Sequence, residues 1–354
     1  MNICSAIKQL KPYQGGKPIS ELQRELGLDN IVKLASNENP LPVSEKVQQA
    51  IAKAAKEVGR YPDGNGFELK QAVAQHLSVS AEQITLGNGS NDILELMARV
   101  AVCGVNDEVI FSQYAFVVYP LITQALGATA VVTPANDFGH DLDAMLAVVT
   151  ENTKLIFIAN PNNPTGTLLE NGAVYDFLSK VPSAVIVVLD QAYVEYLDVD
   201  DTAIQWLKEF DNLVITRTFS KAYGLAGLRV GYALSSIEMA DYLNRIRQPF
   251  NVNHIAQNAA IAALADSEFL THSVAENKQG LLQLAAGFDE LGLSYIPSFA
   301  NFIAVKVGDV GVIYQQLLEN GFIVRPVEME GYLRVSVGTK NENKTFLDTL
   351  KLLL

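Results

Sequence analysis

The lysine Lys221 lies in a context that could place a reactive amine at the end of a buried strand. It follows the apolar run Leu213-Val214-Ile215, and the segment 216–232 around it reads TRTFSKAYGLAGLRVGY. A lysine amine can attack a carbonyl carbon and hold it as an imine. The simpler interpretation is a surface lysine beside a turn, so the role of Lys221 depends on what other segments bring to it.

Other apolar runs of the chain also end in polar side chains. Asp190 follows the run 184–189, and a carboxylate there is costly to bury unless a cation or a hydrogen-bond donor meets it. Tyr193 comes shortly after it. Asn163 lies in the motif NPNNPTG after another such run, and its amide could donate to a phenolate-like oxygen. The sequence therefore predicts an acid, a phenol and an amide at neighbouring strand ends.

An anion site is predicted where the run 84–86 ends. The motif GNGSND follows at 87–92 and opens a helix, whose first N–H groups and dipole favour a negative charge. It is not GxGxxG and has no Walker lysine, which disfavours a nucleotide-binding module. After the run 109–111, an aromatic side chain could either stack on a flat ligand or plug the core. The candidate aromatics are Tyr114, Phe116 and Tyr119.

Pyridoxal phosphate is a ligand that would use all of these groups. It is a phosphorylated aromatic aldehyde with a basic ring nitrogen, so Lys221 would bond to its aldehyde carbon and Asp190 would hold the ring proton. The candidate side chains for its phosphate are Ser90, Asn91, Thr218, Ser220 and Arg229.

The regular spacing of the apolar runs predicts the sheet that would position these side chains. Seven runs alternate with helical patterns, which favours a doubly wound, mostly parallel α/β sheet sandwiched by helices. In such sheets, ligands bind at the carboxyl ends of the strands. The predicted strands are 84–86, 109–111, 130–132, 155–159, 184–189, 213–215 and 230–234. The predicted helices between them are 90–103, 117–127, 141–149, 170–180 and 201–209.

The remaining segments predict a second, smaller α/β domain. Long helical stretches at 252–292, Ala-rich first and then Leu-rich, are followed by alternating segments, which indicate a sheet with one solvent-facing side. We therefore expect a large cofactor-binding domain at 44–249 and a small domain formed by 1–43 together with 250–354.

Composition restricts the partners and the compartment. The chain of 354 residues is 49% hydrophobic and carries a net charge of −13, which disfavours nucleic acid and anionic membranes as partners. It shows no signal-peptide core and no apolar run of the ~20 residues that span a bilayer, so a cytoplasmic protein is expected. Cys4 and Cys103 do not form a disulfide framework, and the four histidines lack metal-site spacing. We expect no protein-bound metal.

The motifs resemble those of the fold-type I aminotransferases over nearly the whole chain. Within that group they are similar to the class II histidinol-phosphate aminotransferases. The resemblance implies transamination of histidinol phosphate with 2-oxoglutarate in histidine biosynthesis, using pyridoxal phosphate, in a homodimer with active sites at the interface. The motifs that carry it are YQGGKP (13–18), KLASNENP (33–40), RYPDG (60–64), GNGSND, NPNNPTG, DQAY, TFSKAYGLAGLRVGY and YLRVSVG (332–338).

The resemblance also implies a role for each candidate residue. The catalytic residues would be Lys221, which carries the cofactor, Asp190 at its ring nitrogen and Tyr193 at its ring oxygen. Asn163 would hold the same oxygen, and Phe116 would stack on the ring. The phosphate would be held by Ser90, Asn91, Thr218, Ser220 and Arg229, helped by Tyr61 from the neighbouring subunit. The substrate anion would be bound by Arg334, with Arg325, Asn37 and Tyr13 as weaker candidates.

Two positions depart from the family's pattern. Asn91-Asp92 replaces the acidic pair that usually follows Gly-Ser, a change that should leave backbone contacts to a phosphate in place. Tyr114-Ala115 replaces the common Pro-Thr before the stacking position. The sequence therefore leaves open whether Phe116 or Tyr114 covers the ring.

Three other functions are compatible with these motifs. An aromatic amino acid aminotransferase would use the same cofactor, but its substrate would carry a carboxylate in place of the phosphate. A decarboxylase of phosphothreonine-like substrates would release CO₂ without consuming 2-oxoglutarate. A noncatalytic ligand-binding regulator on the same scaffold is disfavoured by the intact pair Lys221 and Asp190.

Overall fold

The computed structural model describes residues 3, 5–12, 15–198 and 202–354 of the chain. Its α-helices are α1 (Ser5–Gln9), α2 (Ile19–Leu26), α3 (Glu45–Ala54), α4 (Phe67–Leu77), α5 (Ser90–Ala101), α6 (Val118–Leu126), α7 (Leu142–Ala147), α8 (Asn171–Lys180), α9 (Ala203–Trp206), α10 (Ile237–Ile246), α11 (His254–Leu264), α12 (Ser267–Glu290), α13 (Val310–Glu319) and α14 (Lys340–Leu353).

The strands of the large sheet are β2 (Ile84–Gly87), β3 (Glu108–Ser112), β4 (Thr129–Thr133), β7 (Thr153–Ala159), β8 (Ile186–Asp190), β9 (Leu213–Thr218) and β10 (Gly231–Leu234). The other strands are β1 (Val32–Lys33), β5 (Ala135–Asn136), β6 (Gly139–His140), β11 (Tyr295–Ile296), β12 (Phe302–Lys306), β13 (Phe322–Ile323), β14 (Arg325–Pro326) and β15 (Tyr332–Ser336).

The predicted seven-stranded, mostly parallel sheet is confirmed. Its strand order is β2-β10-β9-β8-β7-β3-β4, and the pairs from β9 to β4 are all parallel. Strand β10 runs antiparallel to both of its neighbours. It follows β9 through the segment that carries Lys221, without the crossover helix that a parallel connection requires. Because β8 and β9 are parallel neighbours, their carboxyl ends lie side by side.

Both faces of this sheet are buried, because successive residues of a strand point to opposite sides. On β7, Ile156 and Ile158 pack into one core with helices α3, α4, α8 and α11, whereas Leu155 and Phe157 pack into the other with α5, α6 and α10. This double coverage accounts for the continuous apolar runs in the sequence.

The small domain is built on the four-stranded sheet β11-β12-β15-β14. Its core joins side chains of α12, α13 and α14 to the sheet and also includes Leu34 from the N-terminal segment. Strand β1 of that segment pairs in parallel with β13. The N-terminal segment therefore packs with the C-terminal part of the chain.

The boundary expected at residue 249 remains a prediction, and packing favours a later position. Helix α11 contributes Ala256, Ala259 and Ala260 to the core of the large sheet, together with α3 and α4. We propose that the large domain extends through Leu264.

One helix prediction differs from the structure. The helix predicted at 201–209 is reduced to α9, although residue 201 lies outside the described residues. The helical stretches predicted at 252–292 correspond to α11 and α12, which are separated at Ala265 and Asp266. In the described ranges, no helix is both long and apolar enough to cross a membrane. The same ranges contain no group of three or more His, Cys, Asp or Glu residues arranged to hold a metal ion.

Candidate active site

A cavity of about 610 Å³ opens where the carboxyl ends of the large sheet face the small domain. Its walls carry all but two of the predicted site residues: Asn37, Ser90, Asn91, Phe116, Asn163, Asp190, Tyr193, Thr218, Ser220, Lys221, Arg229, Arg325 and Arg334. The structure thus brings together side chains from the whole length of the chain. The exceptions are Tyr61, which lies elsewhere on the surface, and Tyr13, which lies outside the described residues.

Lys221 projects into the cavity from the loop that follows β9. Its Nζ donates to the carbonyl oxygen of Ser36 at 3.2 Å and lies 5.8 Å from the centre of the Tyr193 ring. Burial, assisted by the positive charge of Arg334, lowers the pKa of the Lys221 amine to about 7. A substantial fraction of the amine is therefore neutral and nucleophilic near pH 7.

Asp190 is the last residue of β8, and its carboxylate is buried. Thr216, its direct partner on β9, donates through Oγ1 to Oδ1 at 3.1 Å, and Tyr119 donates through Oη to Oδ2 at 2.8 Å. Burial raises the pKa of Asp190, while these two hydrogen bonds act in the opposite direction. The predicted cost of burying this acid is therefore met in part by hydroxyl donors.

The hydroxyl of Tyr193 accepts hydrogen bonds from two amides. Asn37 Nδ2 donates to it at 2.9 Å and Asn163 Nδ2 at 3.1 Å. Burial raises the pKa of Tyr193 to about 12, so the phenol keeps its proton at neutral pH. Because both lone pairs of Oη are engaged, the phenolic hydrogen is directed elsewhere, and Tyr193 is a wall residue of the cavity.

Asn37 lies between Tyr193 and the small domain. It is buried, and Ser336 contacts it twice, since Asn37 N donates to Ser336 Oγ at 2.9 Å and Ser336 Oγ donates to Asn37 Oδ1 at 3.0 Å. Its backbone is left-handed, with φ of 54°, a conformation that asparagine tolerates better than most residues. A substrate contact of Asn37 stays a prediction, and what the structure shows is a hydrogen bond to Tyr193.

Arg334 reaches the cavity from β15. Its Nη1 donates to Asn163 Oδ1 at 2.5 Å, its Nη2 donates to the carbonyl oxygen of Ala35 at 2.7 Å, and its guanidinium lies over the Phe302 ring. Arg325 on β14 is the directly paired residue of the adjacent strand. The two guanidinium groups therefore enter the cavity from the same small sheet, and both are half-buried.

The predicted anion site lies between the start of α5 and Arg229. Helix α5 begins at Ser90 after Gly89, whose φ is 82° and which has no side chain to cap the helix. A Cβ atom on Gly89 would lie 2.5 Å from Arg229 Nη2, and one on Gly231 would lie 2.7 Å from Ser90 N. Glycine at both positions lets the guanidinium and the helix start converge, so the cradle fits a phosphate group.

The hydroxyls predicted around this cradle are also in place. Arg229 Nη1 donates to Ser220 Oγ at 3.4 Å, and Thr218 Oγ1 accepts from the backbone N–H of Ser220 at 3.1 Å. Arg229 itself has a left-handed backbone, with φ of 57°, which turns its side chain back toward the cavity. One end of the cavity is therefore cationic and rich in hydrogen-bond donors. The residues that form it are separate in the sequence from Asp190.

The structure separates the three aromatic candidates for stacking. Tyr119 is completely buried and meets Phe116 edge-on, with ring centres 5.8 Å apart. Tyr114 instead stacks on Phe138 and packs with residues of the small domain. Tyr114 and Phe116 both line the cavity, but Phe116 is the one that adjoins the Tyr119–Asp190 contact, so we propose that Phe116 covers the cofactor ring.

Tyr61 is 82% exposed, and its ring stacks on Phe250 at 4.7 Å. Since a large aromatic ring is seldom so exposed without a partner, its position is compatible with the predicted contact to a neighbouring subunit. Its role at a phosphate stays a prediction.

Sequence reasoning considered Tyr119 only as a stacking candidate and did not connect Tyr119 or Thr216 with Asp190. Thr216 lies two residues before Thr218 on the same buried strand. A predicted parallel pairing of β8 with β9 could have placed it beside Asp190. Tyr119 follows Phe116 by about one helical turn. The only sequence feature that could have indicated its contact with Asp190 is the hydroxyl group on a residue that otherwise suits the core.

Known proteins resemble this chain over its full length. The family profile described as aminotransferase class I and II matches residues 29–350. Histidinol-phosphate aminotransferase 1 of Idiomarina loihiensis is 56% identical over 351 residues, covering 98% of this chain and 95% of that relative. Histidinol-phosphate aminotransferase of Methylobacillus flagellatus is 56% identical over 357 residues, covering 99% and 96%.

A solved structure shares the fold as well. The histidinol-phosphate aminotransferase from Sinorhizobium meliloti, crystallised in complex with pyridoxal-5'-phosphate, superposes with a TM-score of 0.92 at 30% identity and covers 99% of this chain and 97% of that one. The chain therefore belongs to the class I and II aminotransferase family, and within it to the histidinol-phosphate aminotransferases.

Proposed function

We propose that this protein transfers an amino group between histidinol phosphate and 2-oxoglutarate, with pyridoxal phosphate as cofactor, as a step of histidine biosynthesis. The observation that carries the proposal is the placement of the Lys221 amine, with its pKa of about 7, and the buried Asp190 carboxylate in one cavity. When bound, pyridoxal phosphate supplies an aldehyde that bonds to amines and a ring that withdraws electrons from the substrate Cα.

Lys221 would hold the cofactor covalently and then act on the substrate. As a neutral amine in the cavity, it would take the proton from the substrate Cα and deliver it to the carbon that carries the cofactor's aldehyde. The same lowered pKa serves both tasks, since attack on a carbon and removal of a proton each need an unprotonated nitrogen.

At the cofactor ring, protein groups must hold or donate protons rather than remove them. Asp190 would hold a proton on the ring nitrogen, and Tyr193, with both of its lone pairs engaged by Asn37 and Asn163, would donate its hydrogen to the ring oxygen. Asn163 would contact the same ring oxygen, and because Asn163 accepts a hydrogen bond from Arg334, it would link the cofactor to that arginine. The phosphate would lie in the cradle formed by Ser90, Asn91, Thr218, Ser220 and Arg229.

Arg334 would bind the anionic end of the substrate, with Arg325 beside it. The two half-reactions present a phosphate and a carboxylate in turn, and a guanidinium offers paired donors that fit the oxygens of either group. The placement of both arginines on adjacent strands of the small sheet supports this assignment. Tyr13 remains a further candidate outside the described residues.

We also propose that the enzyme acts as a homodimer in the cytoplasm. The exposed ring of Tyr61 supports the dimer, because a second copy would cover it and use its hydroxyl at the neighbouring phosphate. The two cysteines of the sequence, too few for a disulfide framework, suit a reducing compartment. Mixing Tyr61→Ala and Lys221→Ala protomers tests the shared site: a hybrid dimer contains one intact site, so activity should exceed that of either variant alone.

The proposed reaction is tested with purified protein and defined substrates. The protein should be yellow with pyridoxal phosphate, and borohydride should fix the colour to Lys221. Initial rates with histidinol phosphate and with phenylalanine, each with 2-oxoglutarate as acceptor, should favour histidinol phosphate. A preference for phenylalanine, or CO₂ release without glutamate formation, would replace the proposal with one of the other pyridoxal-dependent functions.

A further inference from the structure

Tyr119 is a fully buried tyrosine whose hydroxyl lies against Asp190. It is 0% exposed, and its Oη donates to Asp190 Oδ2 at 2.8 Å. Its ring stacks on Phe157 with 4.4 Å between centres and 2° between planes, while Phe116 meets it edge-on at 85°. These two contacts hold the ring in one orientation, with the hydroxyl on the carboxylate.

Asp190 receives hydrogen bonds from three protein donors. Thr216 Oγ1 donates to Oδ1, Tyr119 Oη donates to Oδ2, and the backbone N–H of Ala192 is the third donor. An ionised carboxylate offers about four acceptor positions, so the protein occupies all but about one of them. Asp190 lines the cavity, whereas Tyr119 and Thr216 do not belong to its described lining residues. The carboxylate therefore retains about one acceptor position for a donor bound in the cavity.

We propose that Tyr119 is a positioning residue that keeps the Asp190 carboxylate ionised and directed at the ring nitrogen of the bound cofactor. Burial alone favours the protonated acid, which could not hold a proton on the ring, and a hydroxyl donor favours the ionised form instead. A phenylalanine would fill the same space and donate nothing. The inference deepens the proposed function and rests on its use of pyridoxal phosphate.

The variant Tyr119→Phe tests the role of the hydroxyl while preserving the ring. We expect pyridoxal phosphate to bind the cofactor-free protein about tenfold more weakly, since a hydrogen bond to a charged group is lost. We expect kcat to fall about tenfold, with KM for histidinol phosphate changed less than about twofold, because Tyr119 does not line the substrate's cavity. Tyr232→Phe, which removes a buried tyrosine hydroxyl that bonds to Arg217 rather than to Asp190, should leave both quantities within about twofold.

A double-mutant cycle on the cofactor-free protein measures the contact independently of the cofactor. Chemical unfolding of Tyr119→Phe, Asp190→Ala and the double variant should show that Tyr119→Phe lowers stability less when Asp190 is already absent. Equal effects in both backgrounds, or an unchanged affinity for pyridoxal phosphate in Tyr119→Phe, would overturn the assignment. If the wild-type protein itself fails to bind pyridoxal phosphate, the proposed function fails instead, and the cycle still reports whether the two residues interact.

Discussion

The wall of the cavity formed by the large sheet and the wall formed by the small domain hold charge in different ways. On the first wall, burial shifts the pKa values of the Lys221 amine and the Asp190 carboxylate toward their neutral forms. On the second wall, Arg334 and Arg325 are half-buried and lie side by side on adjacent strands of a small sheet. In the proposed reaction, moving the substrate proton needs an amine that can be neutral near pH 7, and holding the ring proton needs Asp190 to stay ionised, whereas binding an anion needs guanidinium groups, which stay charged in proteins.

The two walls also differ in the sheets that support them. Asp190 and Lys221 extend from adjacent strands in the middle of a sheet that is covered on both faces. Arg334 and Arg325 come from adjacent strands of the smaller, four-stranded sheet. In the proposed reaction, the groups that move protons thus lie on the doubly covered sheet, and the groups that bind the substrate anion lie on the smaller one. Substitutions on the first wall should therefore reduce kcat, and those on the second wall should raise KM.

The largest effect is expected from Lys221→Ala. It removes both the anchor of the cofactor and the base that moves the substrate proton, so transamination should fall by at least about 10⁴-fold. Steady-state rates with histidinol phosphate measure this, and the exposed Lys208→Ala is the matched control. A variant that retained more than about a hundredth of the wild-type rate would contradict the role of the lysine.

Asp190→Ala should come next, with a loss in kcat of about 10²- to 10³-fold, the range seen when one charge-stabilising group is removed from an active site. Cofactor affinity should weaken by at least the factor expected for Tyr119→Phe but by less than kcat, because the phosphate cradle and Lys221 are unaffected. Parallel measurement of kcat and of the pyridoxal phosphate dissociation constant separates the two effects. A drop in rate of only a few-fold would show that another group holds the ring proton.

Arg334→Lys should act on the other wall. The lysine keeps the charge but loses the paired donors, so KM should rise about 10- to 30-fold for both glutamate and histidinol phosphate, while kcat changes less. Arg325→Lys provides the comparison, and a smaller rise is expected there. An unchanged KM for both substrates would remove the argument that a guanidinium is needed for two kinds of anion.

The pH dependence of Lys221 labelling is the smallest and most specific test. Because the folded pKa of its amine is about 7, the unprotonated fraction rises about tenfold from pH 6 to pH 8 and then levels off. In cofactor-free protein, the rate of labelling at Lys221 by an amine-reactive reagent, followed by mass spectrometry, should show this plateau, while labelling of a lysine model peptide by the same reagent keeps rising toward pH 10. A Lys221 rate that also rose steadily to pH 10 would show that burial does not lower its pKa.

Much of the fold and of the first wall was predictable from the sequence. The seven apolar runs predicted the strands of the large sheet, since a strand covered on both faces needs apolar residues at every position. The rule that parallel strands bring their carboxyl ends to one edge then placed Ser90, Asn163, Asp190 and Lys221 around one ligand. For these residues, knowing which strand each one follows was enough to predict its location, because that location depends only on the direction of the strand.

The second wall was predictable only through resemblance to a family. Arg334 lies in the middle of a short strand, and no local pattern distinguishes it from a surface arginine of an alternating strand. Its approach to the cavity depends on how the small domain packs against the large one. The expected domain boundary stays a prediction, and it too depends on packing, because α11 lies beyond residue 249 and its alanines pack on the large sheet.

The sequence by itself therefore determined the strands and which polar residues follow them, including the candidates Lys221 and Asp190, since these depend on local apolar patterning. Only the tertiary structure decided which side chains touch: Tyr119 with Asp190, and Asn37 with Tyr193. These contacts join residues separated by 71 and 156 positions. A hydrogen bond requires its two atoms to approach within about 3 Å, and composition and periodicity do not specify distances on that scale.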